Sequence, residues 1–220
     1  MTMEWMELMK ARHSVRQYTD AALEAAHLAA LQAEVDACNA EGDLHIQLVT
    51  DEPKAFDSLM AHYGKFSGVR NYIALVGKKG KLLEEKCGYY GERLVLKAQQ
   101  LGLNTCWVAM TYKKISGAFS IAAGEKLTVV IALGYGKTQG VSHGGKTPAQ
   151  VSRAGADAPD WFLTGVEAAL LAPTAMNQQK FTLTYENGKV TAKAGVGFYA
   201  KIDLGIVKYH FEVASGHPVD

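Results

Sequence analysis

Two short apolar runs set the frame for this chain. Tyr72–Val76 is continuously apolar between Asn71 and Gly77, and Leu127–Leu133 is the richest apolar stretch of the sequence. Each has the length of a strand and reads as one buried on both faces. No run approaches the roughly 18 apolar residues of a membrane-spanning helix, so no membrane partner is expected. What remains is a sheet that helices must cover.

The flanking segments supply those helices. Residues 3–10 predict a short helix with Trp5, Met6 and Met9 on one side. Asp20 predicts an N-cap for a helix over 21–39, ended by Gly42. Pro53 predicts a helix to about Tyr63. Residues 82–101 carry the most regular spacing, with Leu83, Cys87, Tyr90, Leu94, Ala98 and Leu101 on one face. Gly88 and Gly91 interrupt it, which points to close approach of another backbone or of a flat ligand. Asp160 and Asp203 predict caps for helices to Leu171 and to about Ser215. Residues 44–49 alternate as a half-buried strand, and 103–109 are extended. Asn187-Gly188, between the alternating runs 181–185 and 190–194, is a strong hairpin signal. Strands alternating with helices, with a hairpin added, predict an α+β sandwich with a mixed sheet.

Composition narrows the function. The chain has 220 residues, 48% hydrophobic and 20% charged, which fits one compact unit or two small ones. Lys+Arg is 23 against 22 Asp+Glu, a net charge of +1, so no nucleic-acid partner is expected. Three cysteines, Cys38, Cys87 and Cys106, form no disulfide or metal pattern and suit a reducing, cytoplasmic setting. The seven histidines fall at no metal-ligand spacing, and no metal is expected. Cys106 reads as a small buried hydrophobe, because no basic residue adjoins it in sequence.

Four segments have the chemistry of a binding site. Arg12-His13-Ser14-Val15-Arg16 offers guanidinium forks and a hydroxyl for an anion such as phosphate. By residue type alone it is also an ordinary solvated loop. Gly134-Tyr135-Gly136 follows a buried strand, where backbone donors can approach an anion. Lys146 lies on a glycine-rich loop. Ala172-Pro173-Thr174-Ala175-Met176-Asn177-Gln178-Gln179 carries three amides suited to a heterocycle edge. Acid–base, nucleophile and metal signatures are missing, a pattern that leaves the chemistry to a cofactor.

In this order the segments resemble the FMN-dependent nitroreductase family. Residues 12–16 resemble its R-[RH]-S-x-[RK] box. Leu101-Gly102-Leu103-Asn104-Thr105-Cys106-Trp107-Val108 resembles L-G-L-G-T-C-W-I, residues 129–136 resemble V-V-I-A-L-G-Y-P, and 172–179 resemble A-P-S-x-x-N-x-Q-P. The last box normally follows the first by about one helix. Here residues 34–39 fill that slot and the box comes late, as in a divergent subfamily first seen in a thermophilic bacterium.

The resemblance implies the nitroreductase sandwich and an FMN-dependent oxidoreductase. NADH or NADPH would reduce the flavin, which would then reduce a nitroaromatic or quinone in ping-pong order. Arg12 and Ser14 would hold the phosphate and ribityl chain, with His13 beside them. Arg16 would stabilise the reduced flavin, and Lys146 would be a second phosphate cation. Pro173, Thr174 and Asn177 would contact the ring, backbone at Ala109 or Met110 would approach N5, and Gly134 and Tyr135 would shape the phosphate end. No side chain would act as general acid. The family builds its site from two subunits. Here residues 1–155 and 156–220 would supply both parts, a pseudo-dimer that is a monomer or a homodimer of such chains. A weak helix–Asn–strand repeat, with Asn39 and Asn177, accords with that. Two other readings share the resemblance: a flavin binder without turnover, and a dehalogenase-like or flavin-cleaving enzyme of the same fold.

Overall fold

The two apolar runs pair directly with each other. The computed structural model describes residues 2–155 and 158–220, with side chains from Trp5 onward. In chain order it contains α1 (Thr2–Ala11), α2 (Ala25–Gly42), β1 (Gln47–Val49), α3 (Leu59–Tyr63), β2 (Asn71–Lys78), α4 (Leu83–Gln100), β3 (Asn104–Val108) and β4 (Glu125–Gly134). There follow α5 (Pro148–Val151), β5 (Ser152–Arg153), α6 (Asp160–Leu171), a 3-10 turn at Ala175–Asn177, β6 (Phe181–Glu186), β7 (Lys189–Ala194) and α7 (Ala200–Ser215).

These elements form two compact units that interleave along the chain. One comprises residues 12–83 and 93–141; the other comprises 1–11, 84–92 and 142–220. The expected halves, 1–155 and 156–220, are a different division of the chain. The boundary between them falls at residues 156–157, outside the described residues.

In the unit of residues 12–83 and 93–141, four strands run antiparallel in the order β1-β2-β4-β3. Tyr72 faces Ala132 and Ala74 faces Val130 across the β2–β4 ladder. Tyr72, Ala74 and Val76 join Cys106, Val108, Phe56 and Phe66 in one core cluster. Ile73 and Leu75 point the other way and are just as fully buried, as are Leu31, Val35 and Cys38 of α2. Burial on both faces is why the strand sequence is continuously apolar instead of alternating. Arg93 on α4 bonds to Glu34 and Glu41 of α2.

In the other unit, β5-β6-β7 form a small mixed sheet. β5 is parallel to β6, and β6 and β7 are the expected hairpin. Asn187 and Gly188 both take the left-handed conformation that a tight hairpin turn needs. α6 packs against α7. A buried pair joins Glu92 to His210 Nε2 at 2.9 Å, while His210 Nδ1 lies 3.0 Å from the Ala168 carbonyl. The carbonyl can only accept, so Nδ1 carries a proton.

Four helix starts differ from expectation. Asp160 is the first residue of α6, and Pro159 stands at the cap with no side-chain bond. Asp20 caps nothing, because the preceding segment is drawn into the sheet: Thr19 N–H donates to Tyr135 O at 2.8 Å, and α2 begins only at Ala25. Residues 53–58 are not helical. The Glu52 carboxylate ties down the Lys54 and Ala55 N–H groups, and the helix starts after Ser58, whose hydroxyl accepts from Ala61 N–H. Asp203 sits inside the first turn of α7, not at its cap, and its carboxylate serves another segment.

Gly88 behaves as its interruption of α4 suggested. A Cβ there would fall on the Ile202 carbonyl of α7, and one at Gly205 would fall on the Glu85 carbonyl. Helix propensity alone would reward Gly88→Ala by about 1 kcal/mol. Backbone overlap should reverse that sign. We expect Gly88→Ala to lose about 1–3 kcal/mol in urea unfolding. A gain would show that the two helices can part without cost.

Candidate functional site

The arginine box is placed by backbone hydrogen bonds, not by a helix. Ser14 bridges Thr105 of β3 in parallel, Gln17 bridges Ser67, and Tyr18 bridges Gly136. Val15 N–H donates to Thr105 O at 3.0 Å, and Ser67 N–H donates to Arg16 O at 3.0 Å. Val15 and Tyr18 are buried, and the Tyr18 hydroxyl donates to Val15 O at 2.7 Å. Arg16 is exposed, with its guanidinium 6.0 Å from the Phe66 ring centre. Arg12, only 2% exposed, is buried.

Arg12, Ser14 and Arg16 share one neighbour, the Cys106 thiol. Burial pushes that thiol up from its ordinary value, while Arg16, a hydrogen bond with Ser14, and Arg12 pull it down. Burial wins, so the thiol stays protonated and is a poor nucleophile. The sequence placed no basic residue beside Cys106. The fold places two, and the cysteine is unreactive because of desolvation. Burial likewise holds the Tyr18 phenol well above its ordinary value.

A pocket of about 420 Å³ opens in the same unit. Arg16, Lys65, Tyr63, Phe66 and Trp107 line it together with Gly64, Val108, Ala109 and Thr111. Of the expected residues it thus brings together Arg16 and Ala109. Met110 is exposed and lies outside that lining. Lys65, Tyr63 and Phe66 were missed from sequence, because that stretch read as the end of a helix and the turn after it. The sequence marks Trp107 only as part of the extended stretch 103–109.

Gly134, Tyr135 and Gly136 pack against the box segment. A Cβ at Gly134 would press on the Tyr18 ring, and one at Gly136 on Val15 and Asn104. The Gly136 N–H, expected to face an anion, donates to Asn104 Oδ1 at 2.9 Å. The Tyr135 hydroxyl lies 3.0 Å from His27 Nδ1. His13 sits against Gly140, whose φ of +73° only glycine adopts readily.

The remaining expected residues gather in the other unit. Lys146 Nζ donates to Gln179 O at 2.7 Å, and Lys146 N–H donates to Gln179 Oε1 at 2.7 Å. The ammonium expected for a phosphate is thus bonded to backbone. Asn177 Nδ2 donates to Gly144 O at 2.6 Å, and the Thr174 hydroxyl accepts from Gln179 N–H at 3.0 Å. Pro173 precedes this turn and is partly buried. Met176, Asn177 and Gln179 all take left-handed backbone, which costs roughly 1–2 kcal/mol each for a residue with a Cβ. The turn is held in place by Asp203, missed from sequence as an ordinary cap. Asp203 Oδ1 accepts from Ala175 N–H at 3.0 Å and Oδ2 from Gln178 Nε2 at 2.8 Å.

The fold is that of the nitroreductases. A structure from Thermotoga maritima, described as a "putative nitroreductase", is 21% identical with a TM-score of 0.64; the match covers 96% of this chain and 82% of that one. Another from Desulfovibrio desulfuricans, a "putative nitroreductase in complex with FMN", is 14% identical at TM-score 0.54, over 67% of this chain and 94% of that one. A nitroreductase family protein of Streptococcus pneumoniae is 12% identical at TM-score 0.51, over 66% and 96%. At these identities the likeness is one of fold. Residues 4–215 match the family described as "Putative TM nitroreductase", and the chain belongs to that family. No curated protein matches it.

Asp203 gives this region a pH signature. Burial raises its carboxyl to about 6, against the pull of Gln178 and the Ala175 N–H. A raised folded-state pKa means that folding favours the neutral form. That contribution is complete below the unfolded value of about 3.9 and is lost as pH rises through the folded one. An asparagine in its place would not titrate. Asp203→Asn should therefore gain on the native protein by up to about 3 kcal/mol from about pH 4 to above pH 6. Urea unfolding at several pH values checks this, and a constant difference would refute it.

Proposed function

We propose that the protein is an FMN-dependent oxidoreductase that takes reducing equivalents from NADH or NADPH and passes them to a nitroaromatic or quinone-type acceptor, the two substrates taking turns at one site. The observation that carries this reading is the pocket beside Arg16. Tyr63, Phe66 and Trp107 line it, Arg16 sets a cation at its wall, the lining holds no carboxylate, and its volume lies within the roughly 300–1,000 Å³ typical of ligand sites. That donor set fits a planar anionic cofactor.

When bound, FMN supplies two-electron transfer between a nicotinamide and an acceptor. The chain's own part is binding and electrostatics. Arg16, at the pocket wall, would set a positive charge beside the ring and favour added negative charge there. Ser14 and Arg12, which share the Cys106 thiol as a neighbour with Arg16, would hold the phosphate and ribityl chain, with His13 beside them. Backbone at Ala109 would face the reacting edge. Pro173, Thr174 and Asn177 enter through their likeness to the family's A-P-S-x-x-N box, and Lys146 through its likeness to the family's basic residue before its final helix. The arginine box occurs once, so about one flavin per chain is expected.

The test is a visible absorption spectrum after loading with FMN and removing the excess, followed by NAD(P)H oxidation. Retained flavin and turnover support the reading, and a colourless protein overturns it. Arg12→Ala should weaken FMN binding about 10- to 100-fold through the loss of a charged hydrogen bond. A thermal melt separates that loss from unfolding, since Arg12 is buried. Asn177→Ala tests the second box in its own right and should also lower flavin content. Unchanged flavin in both variants would count against the assignment.

A further inference from the structure

The pocket holds one more cation than the flavin reading uses. Arg16 is engaged with the Phe66 ring and is the cation assigned to the cofactor. Lys65 lines the same pocket, and among the described residues no carboxylate pairs with it. Its position is set by backbone. Lys65 N–H donates to His62 O at 2.9 Å, and Gly64 and Phe66 bond back to Met60 O and Ala61 O at 3.0 Å each. At φ +62° the lysine occupies a left-handed conformation that a glycine would take at lower cost. A Cβ at the neighbouring Gly64 would clash with Thr111, so this wall of the pocket is closely packed.

Next to this cation stands exposed apolar surface. Tyr63 is 83% exposed at the pocket edge, and Met60 and Leu59 of α3 are exposed beside it. A phenol ring left in water at the mouth of a pocket offers a flat, rigid face for another ring. An ammonium lacking a carboxylate partner attracts an anion, and a charge-assisted hydrogen bond is its strongest contact. As a compact point charge on a flexible stem, it suits an acidic group that is variably placed on the ring.

We propose that Tyr63 and Lys65 form the rim that receives the electron acceptor, and that the preferred acceptor is a flat aromatic carrying an acidic group. This rests on the flavin reading for what the acceptor meets inside the pocket. The binding preference itself rests on Tyr63 and Lys65 alone.

The experiment compares 4-nitrobenzoate with nitrobenzene, two rings with the same reducible group and different charge. Dissociation constants are read by tryptophan fluorescence, Trp107 being in the pocket wall, on protein with and without FMN. KM for each acceptor and for the nicotinamide is read in turnover. The native protein should bind nitrobenzoate several-fold more tightly, and added salt should shrink the preference. Lys65→Met keeps most of the stem and removes the charge. It should weaken nitrobenzoate about 3- to 10-fold, leave nitrobenzene within about twofold, and leave flavin content unchanged. Tyr63→Ala should weaken both acceptors alike. Equal weakening of both by Lys65→Met, no native preference, loss of flavin in Lys65→Met, or an effect confined to the nicotinamide would each overturn the proposal. A nitrobenzoate preference in a protein that retains no FMN would uphold the rim and overturn the flavin reading.

Discussion

Everything at the pocket depends on how residues 12–19 are tied to the sheet. The segment has no helix and belongs to no named strand. Backbone bonds to Thr105, Ser67, Tyr135 and Lys137 hold it in extended form along the sheet. These ties leave Val15 and Tyr18 buried and Arg16 exposed. The glycines at 134, 136 and 140 allow the segment to lie this close, since a Cβ at any of them would meet Tyr18, Val15 or His13.

Burial then decides which groups can react. Cys106 has two guanidinium groups acting on it and a hydrogen bond with Ser14, the setting in which a thiol ordinarily becomes reactive. Yet it is held protonated, as is Tyr18, because the cost of an anion inside the core outweighs those pulls. The polar groups nearest the arginine box therefore serve as fixed donors. Arg16 and Lys65 are exposed and line the pocket. On the flavin reading such a site holds a charged, flat group, and its reactivity comes from what it binds.

The sequence made some of this legible and concealed the rest, for physical reasons. The β2–β4 pair, α4 and the Asn187-Gly188 hairpin were readable because local pattern and tertiary environment agree there. Arg16 and Ala109 were readable only through the resemblance of whole segments to a family. Tyr63 and Lys65 were not readable. Their position follows from the Glu52 carboxylate capturing two N–H groups, which delays the helix from Pro53 to Leu59 and brings the following turn to the pocket. That is a competition between side chain and helix, and composition does not decide it. The start of α2 shifts for a similar reason: backbone bonds to a distant strand end outweigh a good local cap.

The Thr174–Gln179 turn shows the same competition with charge added. Its amides read in sequence as ligand-facing, and in the fold most of them hold backbone. Asn177 reaches Gly144, Gln178 reaches Phe198 and Asp203, and Gln179 reaches Leu170. Three left-handed residues in so short a span are strained, and such strain persists only where the surroundings over-determine it. Asp203 supplies much of that constraint. A carboxylate only accepts, so it takes the Ala175 N–H and the Gln178 amide together, one on each oxygen. An asparagine would meet one of those donors with a donor of its own unless Gln178 turned over. The buried charge costs stability above its raised pKa, and the geometry of the turn is what that cost maintains.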